Sequence, residues 1–507
     1  MKRFARFGLA IAPPLAAAAL FAQTPGRPVP APERGKALFD THCAVCHGSA
    51  GKGDGPAAYL LSPRARDFNR GSFKVRSTAT GSLPTDEDLF RTVTRGMPGT
   101  PMPSWEHLPE ADRWALVDTV KAFSPRFKEE GPGEALAVPD PPTHLDQLAA
   151  AGKAAFEKYR CGECHGAAGR GDGPSSATLK DDTGFPIRPY DFTRPGRYKG
   201  GDAPKDIYRT FTTGFDGTPM PSFAYAIPEE DRWSIVAYVR GLSTPEPAAK
   251  SLAPGSVLAA QRVSSVATEP DAPAWEKAGE FEIPMRQLWG RENAVGRVRV
   301  AVATDGKKVA IRMRWADATL DVRMLRPEEF RDAAAVQFSP AGPDVTFAMG
   351  ERGKPVAIWH WKADWQRDLA GREDVETAEP ALVVDLYPFA RGKGTADQDP
   401  AYLTGLAAGN AFSKLGRKSP VENLVAAGVG SLTPLPSSSQ NVGGKGVWAA
   451  NEWKVVFVRS LEPAGEGDVR LFDGVPIAFA VWNGSEGDRN GIKAFSTWYR
   501  LGLPPRK

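Results

Sequence analysis

Cys43, Cys46 and His47 stand at the spacing Cys-x-x-Cys-His, and Cys161, Cys164 and His165 repeat it. Two thiols three positions apart can add to the two vinyl groups of a porphyrin. The imidazole that follows can offer its nitrogen to the iron, so the pattern is the attachment signature of c-type haem. A zinc site would need further ligands, and a redox dithiol has no use for the histidine. All 4 cysteines of the chain lie in these two motifs, and a glycine, Gly48 or Gly166, follows each histidine. Two covalent haem sites are the reading.

The surroundings of the motifs are duplicated. Gly51-Lys52-Gly53-Asp54-Gly55-Pro56 recurs as Gly169-Arg170-Gly171-Asp172-Gly173-Pro174, and Thr100-Pro101-Met102-Pro103-Ser104 as Thr218-Pro219-Met220-Pro221-Ser222, both at an offset of 118 residues. Methionine is more often core filler than ligand. One methionine per repeat, bracketed by prolines at a constant distance from the motif, instead points to Met102 and Met220 as the sixth iron ligands opposite His47 and His165. Met97 has no such match, because Phe215 stands at its place.

The elements that must position these groups are also legible. Gly35 to Phe39 and Gly152 to Phe156 read as short helices leading into the cysteines. Pro109-Glu110-Ala111-Asp112 and Pro228-Glu229-Glu230-Asp231 put proline and carboxylates where a helix starts. Leu116, Val117, Val120 and Phe123 then form one apolar stripe, and Trp233, Val236 and Val239 another.

These repeats resemble the class I cytochrome c family over roughly 33–128 and 147–243. The resemblance implies an all-α haem fold for each copy. It also assigns Pro56 and Pro174 the carbonyls that orient the proximal imidazoles.

Length and composition set the remaining bounds. A chain of 507 residues suggests about three domains. Its 64 Lys+Arg against 60 Asp+Glu leave no field suited to nucleic acid. Lys2, Arg3 and Arg6 followed by the apolar run Gly8 to Ala22 read as a cleavable export signal over 1–22, which predicts a periplasmic protein. No later stretch approaches ~18 uninterrupted apolar residues. Proline- and glycine-rich linkers are expected over 129–146 and 244–273.

From Trp275 the pattern turns from helical to β. Val298, Val300 and Val302 alternate with polar or small residues, Asp305-Gly306 turns the chain, and Val309, Ile311, Met313 and Trp315 alternate back as a hairpin. Further strands are predicted over Ala335–Phe338, Val356–Lys362, Leu382–Phe389, Trp453–Val458 and Ile477–Trp482. An antiparallel β-sandwich over 274–503, behind two all-α domains, is the expected architecture.

Several phrases in this region are more particular: Phe347-Ala348-Met349-Gly350, Val356 to Ala363, Gly444 to Trp448, Trp453 to Phe457 and Asn490-Gly491-Ile492-Lys493. They resemble the ethylbenzene dehydrogenase-related haem-binding family, whose long inter-strand insertion Ser419 to Val425 also fits. The resemblance implies one non-covalent haem b held by a methionine and a lysine, for which Met349 and Lys493 are the matching candidates. It further implies a molybdopterin catalytic subunit and an iron-sulfur subunit as partners.

His360, the one histidine of this region, is the competing ligand, and a hydrogen-bonded structural role is expected for it. Lys393 and Lys445 are the other lysines in view. The Gly/Ser-rich stretch 391–446 is too long for a hairpin loop, and framing a haem or wrapping a partner is expected of it.

Taken together, the sequence predicts an electron-transfer protein with two haems c and one haem b, passing electrons to a soluble or membrane-bound carrier, with no catalytic residues of its own. A dihaem cytochrome with a haem-free β-sandwich for ligand or protein binding is the alternative. A peroxidase is disfavoured, because methionine at both irons would leave no open position for peroxide.

Overall fold

The computed structural model describes residues 32–243, 251–381 and 417–505, apart from 195, 292, 372, 374–377 and 466. The export segment 1–22, the strand expected over Leu382–Phe389 and Lys393 lie outside the described residues.

The two N-terminal repeats are built alike from short helices. Pro32–His42 leads into Ala44–His47, Asp86–Arg95 follows, and Glu110–Ala122 closes the first; Ala149–Lys158, Gly162–His165, Pro204–Thr213 and Glu229–Gly241 do the same in the second. The predicted stripes are buried at Leu116, Val117 and Val120 in one closing helix and at Trp233, Val236 and Val239 in the other, while Phe123, just past the first helix, is half-buried. Gly35 and Gly152 let the leading helix cross its closing helix at close range, since a Cβ at either would collide with the backbone oxygen of Ala115 or Ser234.

The second copy carries one extra residue before its motif. Cys43 N–H bonds to Phe39 O, four residues back, whereas Cys161 N–H bonds to Phe156 O, five back. Arg160 absorbs the difference with φ 59°, in the left-handed region.

The repeats are held together by charge. Arg76, 1 % exposed, donates to Thr213 O at 2.7 Å and pairs with Asp216 at 2.9 Å. Removing one partner of such a pair leaves an uncompensated interior charge, so Asp216→Ala is expected to cost about 3 kcal/mol. The urea midpoint of the cytochrome portion reads this. An unchanged midpoint would mean that backbone carbonyls alone satisfy the guanidinium.

The C-terminal region forms two sheets. In one, Gly443–Ala449, Glu452–Ser460, Lys308–Ala316, Arg297–Thr304 and Gln261–Arg262 lie in that order, and Glu280–Pro284 pairs with Arg297–Thr304. The other runs Val257–Ala259, Tyr499–Gly502, Pro476–Trp482, Ala333–Phe338, Val356–Lys362, Val421–Ala426, Thr433–Pro434. The predicted hairpin is in register, Val302 opposite Ile311 and Val300 opposite Met313. One core draws on both sheets: Val298, Val300, Ile311, Met313 and Phe457 from the first, and Val336, Phe338, Trp359, Ile477 and Val481 from the second.

Three details depart from the sequence reading. The sheets are mixed, because Val257–Ala259 and Gln261–Arg262 pair in parallel with Tyr499–Gly502 and Arg297–Thr304. Those two strands fall inside the expected linker 244–273. Val421–Ala426, taken for part of an insertion, is a strand paired antiparallel to Val356–Lys362. In the other expected linker, Gly133 and Leu136 donate to Leu83 O and Ser77 O, so that part lies against the first repeat.

Candidate functional site

In the first repeat Cys43, Cys46, His47 and Met102 all line one cavity of 890 Å³. Both thiols are free, and burial pushes each up to about 12. A redox dithiol needs the opposite, a thiol lowered toward neutrality, so the environment fits haem attachment.

His47 stacks on Phe68 with ring centroids 4.5 Å apart, and its Nδ1 lies 3.1 Å from Arg66 O. With Nδ1 donating to that carbonyl, Nε2 is left as the free lone pair an iron requires. The second repeat has the same arrangement: His165 stacks on Phe192 at 4.5 Å and its Nδ1 is 3.4 Å from Tyr190 O. Arg66 and Tyr190 therefore do what the resemblance assigned to Pro56 and Pro174. Their offset is 124 residues, not 118, because the loop after the second motif is six residues longer.

The methionine loops match bond for bond. Met102 N–H donates to Thr100 Oγ1 and Met220 N–H to Thr218 Oγ1, both at 3.2 Å. Met102 O accepts from Met97 N–H at 3.1 Å, and Met220 O from Phe215 N–H at 3.2 Å. Met97 and Phe215 thus share a backbone role that needs no particular side chain. In the second repeat Cys161 and Met220 pack on one cluster with Phe156, Tyr208 and Trp233, and Cys164 lies half-buried beside them in the chain. Burial raises the Cys161 thiol to about 11.

The cavity does not stop at the first repeat. Its far wall is the outer face of the larger sheet, where every second residue points away from the shared core: Ala333, Ala335, Ile358, His360, Ala478 and Ala480 line it. That strand period places Val336, Phe338, Trp359 and Val481 in the core and leaves small alanines facing the cavity. The space beside them is suited to a flat ring.

Met349 and Lys493 meet there. The Lys493 Nζ is 3.8 Å from the Met349 Sδ, and both residues line the cavity. Burial lowers the Lys493 ammonium to about 8, with no carboxylate among the causes. A half-buried amine facing a thioether without a carboxylate fits an axial ligand pair, because only the neutral amine can ligate. Met349 is held with φ 72°, a strained conformation for a residue with a side chain.

The competing residues sort differently. Lys445 is exposed and pairs with Glu269 at 2.6 Å, which takes it out of consideration. A hydrogen-bonded role is expected for His360, yet its Nε2 is buried without a partner among the described residues, and its ring lies 4.8 Å from that of Trp482. Lys362, which the sequence reading passed over, also lines the cavity but is paired with Glu422.

Two aromatic rings join the methionine loops of this shared cavity. Trp105, three residues after Met102, lies 6.0 Å from Phe347, two residues before Met349. Phe347 packs on the cores of both the first repeat and the larger sheet.

Residues 32–122 and 149–243 match the family Cytochrome c, and residues 272–494 match the family Ethylbenzene dehydrogenase. The chain is two cytochrome c domains followed by an ethylbenzene dehydrogenase-family domain. Its function is electron transfer.

Among its relatives is the dimethylsulfide dehydrogenase subunit gamma of Rhodovulum sulfidophilum, 27% identical over 47% of this chain and 76% of that one. Another is the chlorate reductase subunit gamma of Ideonella dechloratans, 26% identical over 50% of this chain and 90% of that one. A chain of the reducing HAO-like protein complex of Kuenenia stuttgartiensis is 44% identical over 42% of this chain and 96% of that one, with a TM-score of 0.41. Among the described residues no helix is long and apolar enough to cross a membrane.

Proposed function

We propose that this protein is a periplasmic electron-transfer subunit carrying three haems: two covalent haems c, on Cys43, Cys46, His47 and Met102 and on Cys161, Cys164, His165 and Met220, and one haem b on Met349 and Lys493. The observation that carries the third site is the 3.8 Å approach of Lys493 Nζ to Met349 Sδ on the wall of a cavity that Cys43 and His47 also line. Haem supplies one-electron redox chemistry at its iron when bound. The chain's residues supply ligation, burial and contact: the Arg66 and Tyr190 carbonyls orient the imidazoles, and the Trp105–Phe347 contact sets the ethylbenzene dehydrogenase-family domain against the first cytochrome.

The relatives' names and the family resemblance support a molybdopterin catalytic subunit and an iron-sulfur subunit as partners, with a soluble or membrane-bound carrier accepting or supplying electrons. Export rests on the sequence of residues 1–22, which lie outside the described residues. A fold of two α-helical haem domains and a largely antiparallel sandwich is part of this reading.

The test is a pyridine haemochrome assay with acid-acetone extraction on the purified protein. Two haems c that stay with the polypeptide and one extractable haem b per chain are expected. Two haems c with nothing extractable would leave the ethylbenzene dehydrogenase-family domain as a binding module. The orphaned Nε2 of His360 favours one second reading, Met349/His360 ligation of the same haem.

A further inference from the structure

Asp317, Asp321 and Asp332 bring carboxylate oxygens to within 4.8 Å of one another at one end of the ethylbenzene dehydrogenase-family domain. Asp317 is 3% exposed and Asp332 0%, which is unusual for this residue type without a compensating charge. No described cation pairs with any of the three.

The hydrogen bonds leave a gap. Asp332 accepts from Gly484 N–H, Asp321 N–H and Trp453 Nε1, each at 2.9 Å. Asp321 Oδ2 accepts from Ser485 N–H at 3.0 Å and from Thr319 Oγ1 at 2.7 Å. Asp317 Oδ1 faces Thr319 N at 3.2 Å, but Asp317 Oδ2 is buried and makes no hydrogen bond of ordinary geometry among the described residues, the neighbouring Trp315 indole N–H being left unbonded as well. An orphaned carboxylate oxygen among two further carboxylates is costly unless something positive completes it.

We propose that Asp317, Asp321 and Asp332 bind one hard divalent cation of the size of calcium, which pins the loops bordering the Met349–Lys493 site to the end of the sandwich. The ligand set is all oxygen, which selects against zinc and copper. Three carboxylates on one ion suit calcium, which takes many oxygen ligands in flexible geometry, better than magnesium, which keeps several of its waters and is usually held by one or two carboxylates.

The position gives the ion its consequence. Asp317 follows Lys308–Ala316 of one sheet, Asp332 precedes Ala333–Phe338 of the other, and Gly484–Ser485 follow Pro476–Trp482. The segment 321–332 brings Met324, Phe330 and Arg331 to the cavity, and the loop that starts at Gly484 carries Arg489 and Lys493 to it. One ion would therefore tie both sheets and both loops.

The test uses the full chain with its haems. Metal analysis by mass spectrometry before and after chelation with EGTA is combined with thermal unfolding in about 1 mM CaCl2, about 1 mM MgCl2 or EGTA. One calcium per chain, a melting temperature roughly 5–10 °C higher in CaCl2 than in EGTA, and a much smaller rise in MgCl2 are expected. Asp317→Asn should abolish the calcium-dependent rise, and the half-buried Asp321→Asn should weaken calcium binding by at least about 10-fold. Equal melting in CaCl2 and EGTA, an equal rise in MgCl2, or a full rise in Asp317→Asn would each overturn the assignment. If Asp317→Asn does not fold, Asp321→Asn and the chelation of unaltered protein decide.

Discussion

Lys493→Leu is expected to strip the haem b from this protein while leaving both covalent haems in place. The side chain enters a cavity wall where no carboxylate balances it, and its amine faces Met349 Sδ at 3.8 Å. Leucine removes the nitrogen, and with it both the approach to Met349 Sδ and the contact of Nζ with the Trp482 ring at 5.0 Å. Changes in groups that merely support a metal ligand cost about 10–100-fold in affinity, so loss of the ligand itself should weaken haem b by at least about 100-fold.

Met349→Gly should act in the same direction for a separable reason. It removes the sulfur and relieves a φ of 72°, so loss of haem b without loss of the fold is expected. Acid-acetone extraction and the visible spectrum read both variants. Haem b retained with an unshifted spectrum in Lys493→Leu would move the assignment to His360, and His360→Leu would then be the variant that empties the site.

The paired change Cys43→Ala and Cys46→Ala should lower covalent haem from two to one per chain and reduce haem b as well. The reason is the shared wall: Cys43, His47, Met102 and Trp105 line the cavity together with Met349 and Lys493, and no described residue of the second cytochrome domain does. Without the covalent group, Phe68, Leu89, Val93 and Val117 border a large void, a loss typically worth several kcal/mol. The matching change Cys161→Ala and Cys164→Ala should also halve the covalent haem, yet leave haem b at its full content. Peptide mass spectrometry and haem extraction distinguish the two. Equal effects of both pairs on haem b would mean that the first cytochrome domain has no special relation to that site.

How much of this was legible beforehand follows from the range of the interactions. The attachment motifs are covalent chemistry within five residues, the methionine loops are marked by flanking prolines, and the closing helices and the main hairpin carry their period in consecutive residues. Met349 and Lys493 could be named from phrases of a few residues that resemble a family.

The carbonyls of Arg66 and Tyr190 could not be read, because a backbone oxygen has no residue type and the repeat offset shifts within that loop. The parallel edge strands were read as linker, since two or three residues are too few to show alternation. Val421–Ala426 is buried at five of its six positions and shows no alternation either.

The sequence by itself determined two cytochrome c repeats and a β-rich third domain, and it named the imidazole and thioether candidates, because each rests on chemistry or periodicity local in the chain. Only the tertiary structure decided that the first repeat walls the Met349–Lys493 site, that His360 Nε2 has no hydrogen-bond partner among the described residues, and that Asp317, Asp321 and Asp332 converge. These depend on which face of a sheet is covered and on residues up to 144 positions apart in the case of Met349 and Lys493, and no local pattern encodes such proximity.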